Sequence, residues 1–212
     1  MDDRFRWRAT GQSTQELHNR IDNREKYLPE TVEAAVEELK SRGETFSDEE
    51  LEVIAQDMQA RRDMAKTPPG YDTLFNDFEK SKQVEDPDAP AFYTKRVIYI
   101  FSILFSVLFG SILFAINVGK TPKRLNAIWI VFYGLAFTVV QSLIAQRLNA
   151  SLPIAVIGGI AGSYPLNYFF WGKFLGNDTL YRPSPIWIPL IIGIAFSAAI
   201  LYILITYNPA GV

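Results

Sequence analysis

The sequence predicts an all-α integral membrane protein, a four-transmembrane-helix bundle with a small cytosolic N-terminal helical region. Three observations predict it. Residues 1–96 hold 15 Lys/Arg and 22 Asp/Glu, whereas residues 97–212 hold 6 Lys/Arg and a single acid, Asp178. The near-neutral half contains four apolar stretches, each of about the 20 residues that a helix needs to cross a hydrocarbon core. Within those stretches the polar residue expected every three or four positions of a soluble helix is missing. A formal net charge of −2 and 49% hydrophobic content describe the average of two unlike halves, so a single soluble domain is excluded.

The predicted spans run over about 97–118, 127–145, 152–171 and 186–207, within a membrane region of 96–212. The first is uncharged from Val97 to Val118. The second carries Gln141 as its most polar interior member. The third holds Pro165, and a proline inside a span frees a carbonyl that a neighbouring group must satisfy. Ser163, Tyr164 and Asn167 are the local donors. Pro153 and Pro189 fall in first turns, where a missing N–H costs little. Gln141, Tyr164 and Asn167 are therefore the candidate polar membrane site.

Gly158 and Gly162 make a GxxxG spacing, and Ser102, Ser106 and Gly110 repeat a small-residue spacing on the first stretch. Such spacings let helix backbones approach closely, so Gly158, Gly162, Ser106 and Gly110 are candidate packing positions. Gly193 and Ser197 do the same on the fourth stretch. Trp129, Trp171 and Trp187 fall at predicted span ends, where amphipathic rings anchor at the headgroup level. Four spans place all three on the face opposite the N-terminus.

Four spans leave orientation undecided by basic residues. Lys80, Lys82, Lys95, Arg96 and Arg147 would share the N-terminal side, and Lys120, Lys123, Arg124, Lys173 and Arg182 the other, a tie under the positive-inside rule. The opening MDDRFRWRA has no apolar h-region after it. An acidic N-terminal region without an export signal predicts both termini in the cytosol.

Residues 1–12 read as a flexible basic and aromatic tail, with Arg4, Arg6 and Arg8 alternating with Phe5 and Trp7. Residues 13–62 read as a cytosolic domain of short helices. In a first helix, Ser13 and Thr14 offer an N-cap ahead of Glu16, Leu17 and Ile21. Pro29 opens a second, with Val32, Ala35, Val36 and Leu39 on one stripe and Gly43 placed to end it. Ser47 and Glu50 form a capping-box spacing for a third, whose apolar face is Leu51, Ile54, Ala55 and Met58. Three short helices bury only a small core. Their acidic faces (Glu37, Glu38; Asp48, Glu49, Glu50, Glu52) offer a docking surface for a protein partner. Residues 63–95 read as a Pro-containing linker, with breaker clusters at Thr67–Gly70 and Glu85–Pro90. Tyr71, Leu74, Phe75 and Phe78 make one short amphipathic turn within it.

Much chemistry is excluded. Without cysteine there is no disulfide, thiolate metal site or thiol nucleophile. His18 is the single histidine and has no second histidine to pair with as a ligand. No Walker, Rossmann or HExxH pattern occurs, and the span interiors carry no ionisable group for coupled transport. The acidic N-terminal half argues against nucleic acid as a partner. No catalytic residue, metal site or cofactor is expected.

The runs YLPETVEAAVEELKSRG and ETFSDEEL (Tyr27–Leu51), EDPDAPAFYTKRVIYIFSILFSVLFGS, LNYFFWGKFLG and PIWIPLIIGI resemble those of uncharacterised bacterial four-span inner-membrane proteins. The resemblance covers most of the chain. It implies a multi-pass protein of the bacterial cytoplasmic membrane and transfers no catalytic or binding residue.

The expected function is that of a non-enzymatic membrane scaffold or accessory subunit. Its acidic cytosolic helices would dock a partner protein, or a second copy, while the bilayer holds the bundle. The alternative is a small oligomeric transporter or channel with its polar site near the Pro165/Asn167 helix. A lipid-modifying enzyme ranks last, since Asp178 is the lone acid of the membrane half.

Overall fold

The computed structural model describes residues 3–66, 82–148 and 152–207, apart from the side chains of 148, 152–155, 200, 201, 204, 205 and 207. The Thr67–Gly70 breaker and the turn of Tyr71, Leu74, Phe75 and Phe78 lie outside the described residues. The described residues are mostly helical, in keeping with the all-α class. The chain divides into two units: Met1–Phe92 with Asn177–Pro183, and Tyr93–Gly176 with Ser184–Val212.

In the first unit, α1 (Asp3–Thr10), α2 (Thr14–Asp22), α3 (Pro29–Ser41) and α4 (Asp48–Lys66) build one core. Ser13 and Glu16 bond reciprocally as a full capping box on α2. Ser47 and Glu50 repeat it on α4. At the end of α3 Gly43 has φ +96°, and the Glu44 N–H reaches back to the Leu39 carbonyl at 3.0 Å, the six-to-one bond of a Schellman cap. Leu17, Ile21, Val32, Ala35, Leu39 and Met58 meet in the core. Burying five or six such side chains contributes on the order of 10 kcal/mol before conformational entropy is subtracted.

Two readings of this half change. The tail is a helix: α1 buries Ala9, and Arg6 pairs with Glu37 at 2.9 Å. The linker is shorter than expected, because α4 continues to Lys66 and residues 82–92 pack into the unit. There β1 (Ala91–Phe92) pairs in parallel with β2 (Arg182–Pro183). Val84 donates to the Tyr181 carbonyl and Tyr181 to that of Lys82, both at 3.0 Å. Tyr181, 1% exposed, lies 5.9 Å from the Phe92 ring. A segment from deep in the apolar half thus completes the N-terminal unit.

In the second unit, the stretch expected as the first span is not one helix. α5 (Lys95–Leu104) stops at Phe105 and Ser106, and α6 (Val107–Gly119) begins after them. The two run antiparallel. Tyr93 N–H donates to Asn117 Oδ1 and Asn117 Nδ2 donates to the Tyr93 carbonyl, both at 2.8 Å, closing the base. Nearer the tip the Phe101 and Phe109 rings stack at 5.7 Å. Ser106 caps α6 by accepting from the Phe109 N–H. An apolar run reads alike whether it continues or folds back, which is why hydropathy alone merged the two arms.

α7 (Ala127–Leu148), α8 (Leu152–Pro165) with a π-helical continuation (Leu166–Leu175), and α9 (Trp187–Tyr207) follow. Among the described residues one helix, Arg124–Arg147, is long and apolar enough to cross a membrane, and Val107–Gly119 and Trp187–Ala199 are apolar but shorter. By length and composition, then, the described helices do not show a bundle of four full spans, and the break at Phe105–Ser106 divides the stretch expected as the first.

Candidate functional site

In the first unit, the N-terminus of α4 and the loop before it face α2 across an open cleft of about 480 Å³. Ile21, Phe46, Val53 and Ile54 line it with apolar surface, while Asp22 and Glu49 add acid. Val53 is 46% exposed, an unusual position for a valine on a charged helix. His18 stands at this cleft with Nε2 2.9 Å from Glu44 Oε2, a half-exposed surface pair.

The acidic faces are not uniformly free. Glu38 pairs with Arg42 at 2.8 Å, and Arg62 bonds Glu33 at 2.8 Å, which holds its guanidinium above its ordinary range. Burial instead pulls Arg61 below its ordinary value. Glu50 is committed to the Ser47 cap, and the bonds from the Ser47 backbone N–H and then its hydroxyl hold its carboxyl below the usual range. Asp48 and Glu49 have no cationic partner among the described residues. The free acid is thus concentrated at the first turn of α4, beside the cleft.

A second polar cluster was hidden in the apparent linker. Asp86 is fully buried: Oδ2 accepts the Leu28 N–H at 3.0 Å and Oδ1 accepts the Asp88 N–H at 2.9 Å. It serves as the missing side-chain cap at the α3 N-terminus, where a carboxylate also suits the helix dipole. Asp88 takes Arg8, and Arg20 Nη1 lies 3.7 Å from its other oxygen, with the Arg20 guanidinium 5.5 Å from the Tyr27 ring. The Asp-x-Asp spacing around Pro87 was the available signal, since an aspartate that bonds the N–H two residues on makes an Asx turn. These groups are tied to one another and serve structure.

In the second unit the packing candidates are used within the chain. A Cβ on Gly110 would stand 1.8 Å from Ser102 Oγ and 3.0 Å from the Ile98 carbonyl. Ser102, Ser106 and Gly110 are therefore spread over both arms and the tip of the hairpin, not along one helix face. A Cβ on Gly162 would meet Phe137 and Val107 at 2.5 Å, and one on Gly158 would meet Gln141.

The polar candidates do not converge. Gln141 packs against Gly158, Tyr164 is 48% exposed and stacked on Tyr168 at 5.3 Å, and Asn167 is 4% exposed. Asn167 Nδ2 donates to the Ser163 carbonyl, and Tyr133 Oη donates to that of Gly162 at 2.8 Å. Both carbonyls lie in the turn before Pro165, where the helix changes to π register and the ordinary i−4 bonding fails. Asn167 Oδ1 and Ser111 Oγ are buried without a hydrogen-bond partner among the described residues. Of the aromatic anchors, Trp129 and Trp187 are each 69% exposed, whereas Trp171 is buried against Phe114.

The cations of this unit gather at one end. Lys95 Nζ lies 5.5 Å from the Trp171 ring, Lys120 Nζ lies 5.9 Å from the Tyr93 ring, and Lys123 Nζ donates to the Lys173 carbonyl at 2.7 Å. Arg96 and Arg124 adjoin them in sequence, and Arg147 stands apart at the other end of α7. No protein-family model, curated protein or solved structure matches this chain.

Proposed function

We propose that this protein is a non-enzymatic integral membrane scaffold or accessory subunit of a bacterial cytoplasmic membrane, whose first unit docks a basic segment of a partner protein. The observation that carries the reading is the α2–α4 cleft, which joins apolar surface at Phe46 and Val53 to the acid Glu49 in its lining, with Asp48 next to it in the first turn of α4. That combination suits an apolar side chain flanked by Lys or Arg, with the rim charges acting mainly on encounter and register. Membrane residence is supported by the surface of α7, the turn that leads into it, and α9. Leu125, Ile128, Trp129, Phe132, Ile191 and Phe196 are between 61% and 77% exposed, far more apolar surface than a soluble monomer presents.

The test is the particle mass of the full chain in mild detergent, for wild type and for Glu49→Lys/Val53→Asp. A complex with an unlike subunit that the double variant loses supports the reading. A lone particle in both, after crosslinking, overturns it. The buried, unpartnered oxygens of Ser111 and Asn167 favour a second reading, a small oligomeric transporter, in which a polar solute satisfies them. Reconstituted solute flux abolished by Asn167→Leu would establish that reading instead.

A further inference from the structure

We propose that α5 and α6 form a re-entrant hairpin, entering the bilayer from the side of the first unit and returning to it. The chain then crosses three times, through α7, α8 with its π segment, and α9. Its N-terminal unit is cytoplasmic and its C-terminus lies across the membrane. The proposal rests on the membrane reading above and replaces the arrangement with both termini on one side.

Three independent observations carry it. The first is length: α5 has ten residues and α6 thirteen. At 1.5 Å per residue they reach about 15–20 Å, roughly half to two thirds of a 30 Å hydrocarbon core. The 22 residues of α7 reach about 33 Å, enough to span it. At the hairpin tip the Leu108 N–H donates to Thr138 Oγ1, midway along α7, so α7 continues a further ten residues past the tip. A Cβ on Gly159 of α8 would lie 3.1 Å from Ile103, and one on Gly193 of α9 would meet Phe105, both at this level. The three longer helices pass the tip and the hairpin does not.

The second observation is connectivity. A water-soluble unit lies wholly on one side of a bilayer. The chain leaves the first unit after Phe92, rejoins it at Asn177 and leaves again after Pro183. The number of crossings between Phe92 and Asn177 must therefore be even. A full span over 97–118 followed by α7 and α8 would make it odd. The hairpin makes it two.

The third is charge. Four crossings split the basic residues evenly between the two faces. The hairpin instead puts Lys95, Arg96, Lys120, Lys123, Arg124 and Lys173 together, leaving Arg147 as the sole cation at the far end, and the second unit has no acid. Six against one is the asymmetry that holds a loop in the cytoplasm. Trp129 and Trp187, at the starts of α7 and α9, then share that basic interface with Tyr93.

The natural chain has no cysteine, so single reporters can be placed without background. His18→Cys, Pro122→Cys, Gln146→Cys and a cysteine appended after Val212 would each be made in the full chain, expressed in a bacterium. Intact cells would be treated with a membrane-impermeant maleimide. Gln146→Cys and the appended cysteine are expected to label fully, while His18→Cys and Pro122→Cys label only after permeabilisation. Labelling of Pro122→Cys from outside, with Gln146→Cys and the C-terminus protected, would establish four crossings and overturn the hairpin. The mirror-image pattern would keep the hairpin and overturn the orientation. Release of the wild-type chain from membranes by alkaline carbonate would instead overturn the membrane reading on which the proposal rests.

Discussion

Replacing Asp86 by alanine should release residues 82–92 and 177–183 from the first unit. The carboxylate is fully buried and takes two backbone N–H groups, Leu28 at 3.0 Å and Asp88 at 2.9 Å. Alanine leaves both donors without an acceptor, and each orphaned buried group costs about 1–3 kcal/mol. The expected loss is therefore about 2–6 kcal/mol, with a few tenths more from the uncompensated α3 dipole. Local opening reads this directly. Hydrogen exchange of the full chain in detergent should accelerate by about 30-fold or more at the Leu28, Val84 and Tyr181 amides, since each 1.36 kcal/mol is a factor of ten. Asp86→Asn keeps one acceptor oxygen and should give an intermediate effect. Wild-type exchange in Asp86→Ala, with the protein still folded, would show that the carboxylate does not hold the segment and that the β1–β2 pairing suffices alone.

Four further outcomes follow from local geometry. Gly110→Ala sets a methyl against Ser102 and the Ile98 carbonyl, and should destabilise the hairpin by about 1–3 kcal/mol, read as a lower melting temperature in detergent and partly rescued by Ser102→Gly. Asn117→Leu strips both backbone bonds from Tyr93, and should open the hairpin base by about 1–3 kcal/mol, read as faster exchange at the Tyr93 amide. Ser13→Ala should loosen the first turn of α2 by about 1 kcal/mol, measured as exchange at its amides. The cap also fixes a pH response. Bonds from the Ser13 backbone N–H and then its hydroxyl hold the Glu16 carboxyl below its ordinary value, as Ser47 does for Glu50. A lowered folded pKa gives stability that is present above the unfolded carboxylate value of about 4.3 and lost as pH falls through the folded one. The opening constant in the first turns of α2 and α4, taken as exchange divided by the intrinsic rate at each pH, should therefore rise below about pH 4 and stay flat above pH 5.

Local chemistry was legible where its cause is local. Ser13 with Glu16, Ser47 with Glu50, Pro29 and Gly43 each define a helix end within four residues, and the structure has each of those ends. The stripe of Val32, Ala35, Val36 and Leu39 is the buried face of α3. What the sequence concealed depends on partners distant along the chain. Asp86 looks like a loop acid until Leu28 is brought to it, and Tyr181 looks like a loop aromatic until it packs, tilted, against the Phe92 ring. The break at Phe105–Ser106 was hidden for another reason. In a run as apolar as Val97–Val118 hydropathy has no contrast, so the decisive signals were a serine fit to cap and a glycine slim enough for a return arm. Asn167 is a mixed case. Its place beside an intrahelical proline suggested a polar site, and the structure gives its amide nitrogen to the carbonyl of Ser163 while its Oδ1 is buried without a partner among the described residues.

The pairing of Ala91–Phe92 with Arg182–Pro183 also sets an order on how the protein can be made. A ribosome completes the four N-terminal helices early, but the strand that covers Phe92 with Tyr181 is synthesised only after the hairpin, α7 and α8 have been laid down. Until then Val84 and Phe92 lack the neighbours that bury them, and the contact that finishes the first unit spans a long stretch of chain. On the membrane reading proposed above, closure of that unit would report that the apolar half has been inserted. On that reading, a chain whose apolar half did not insert would leave Phe92 and Val84 without the segment that buries them.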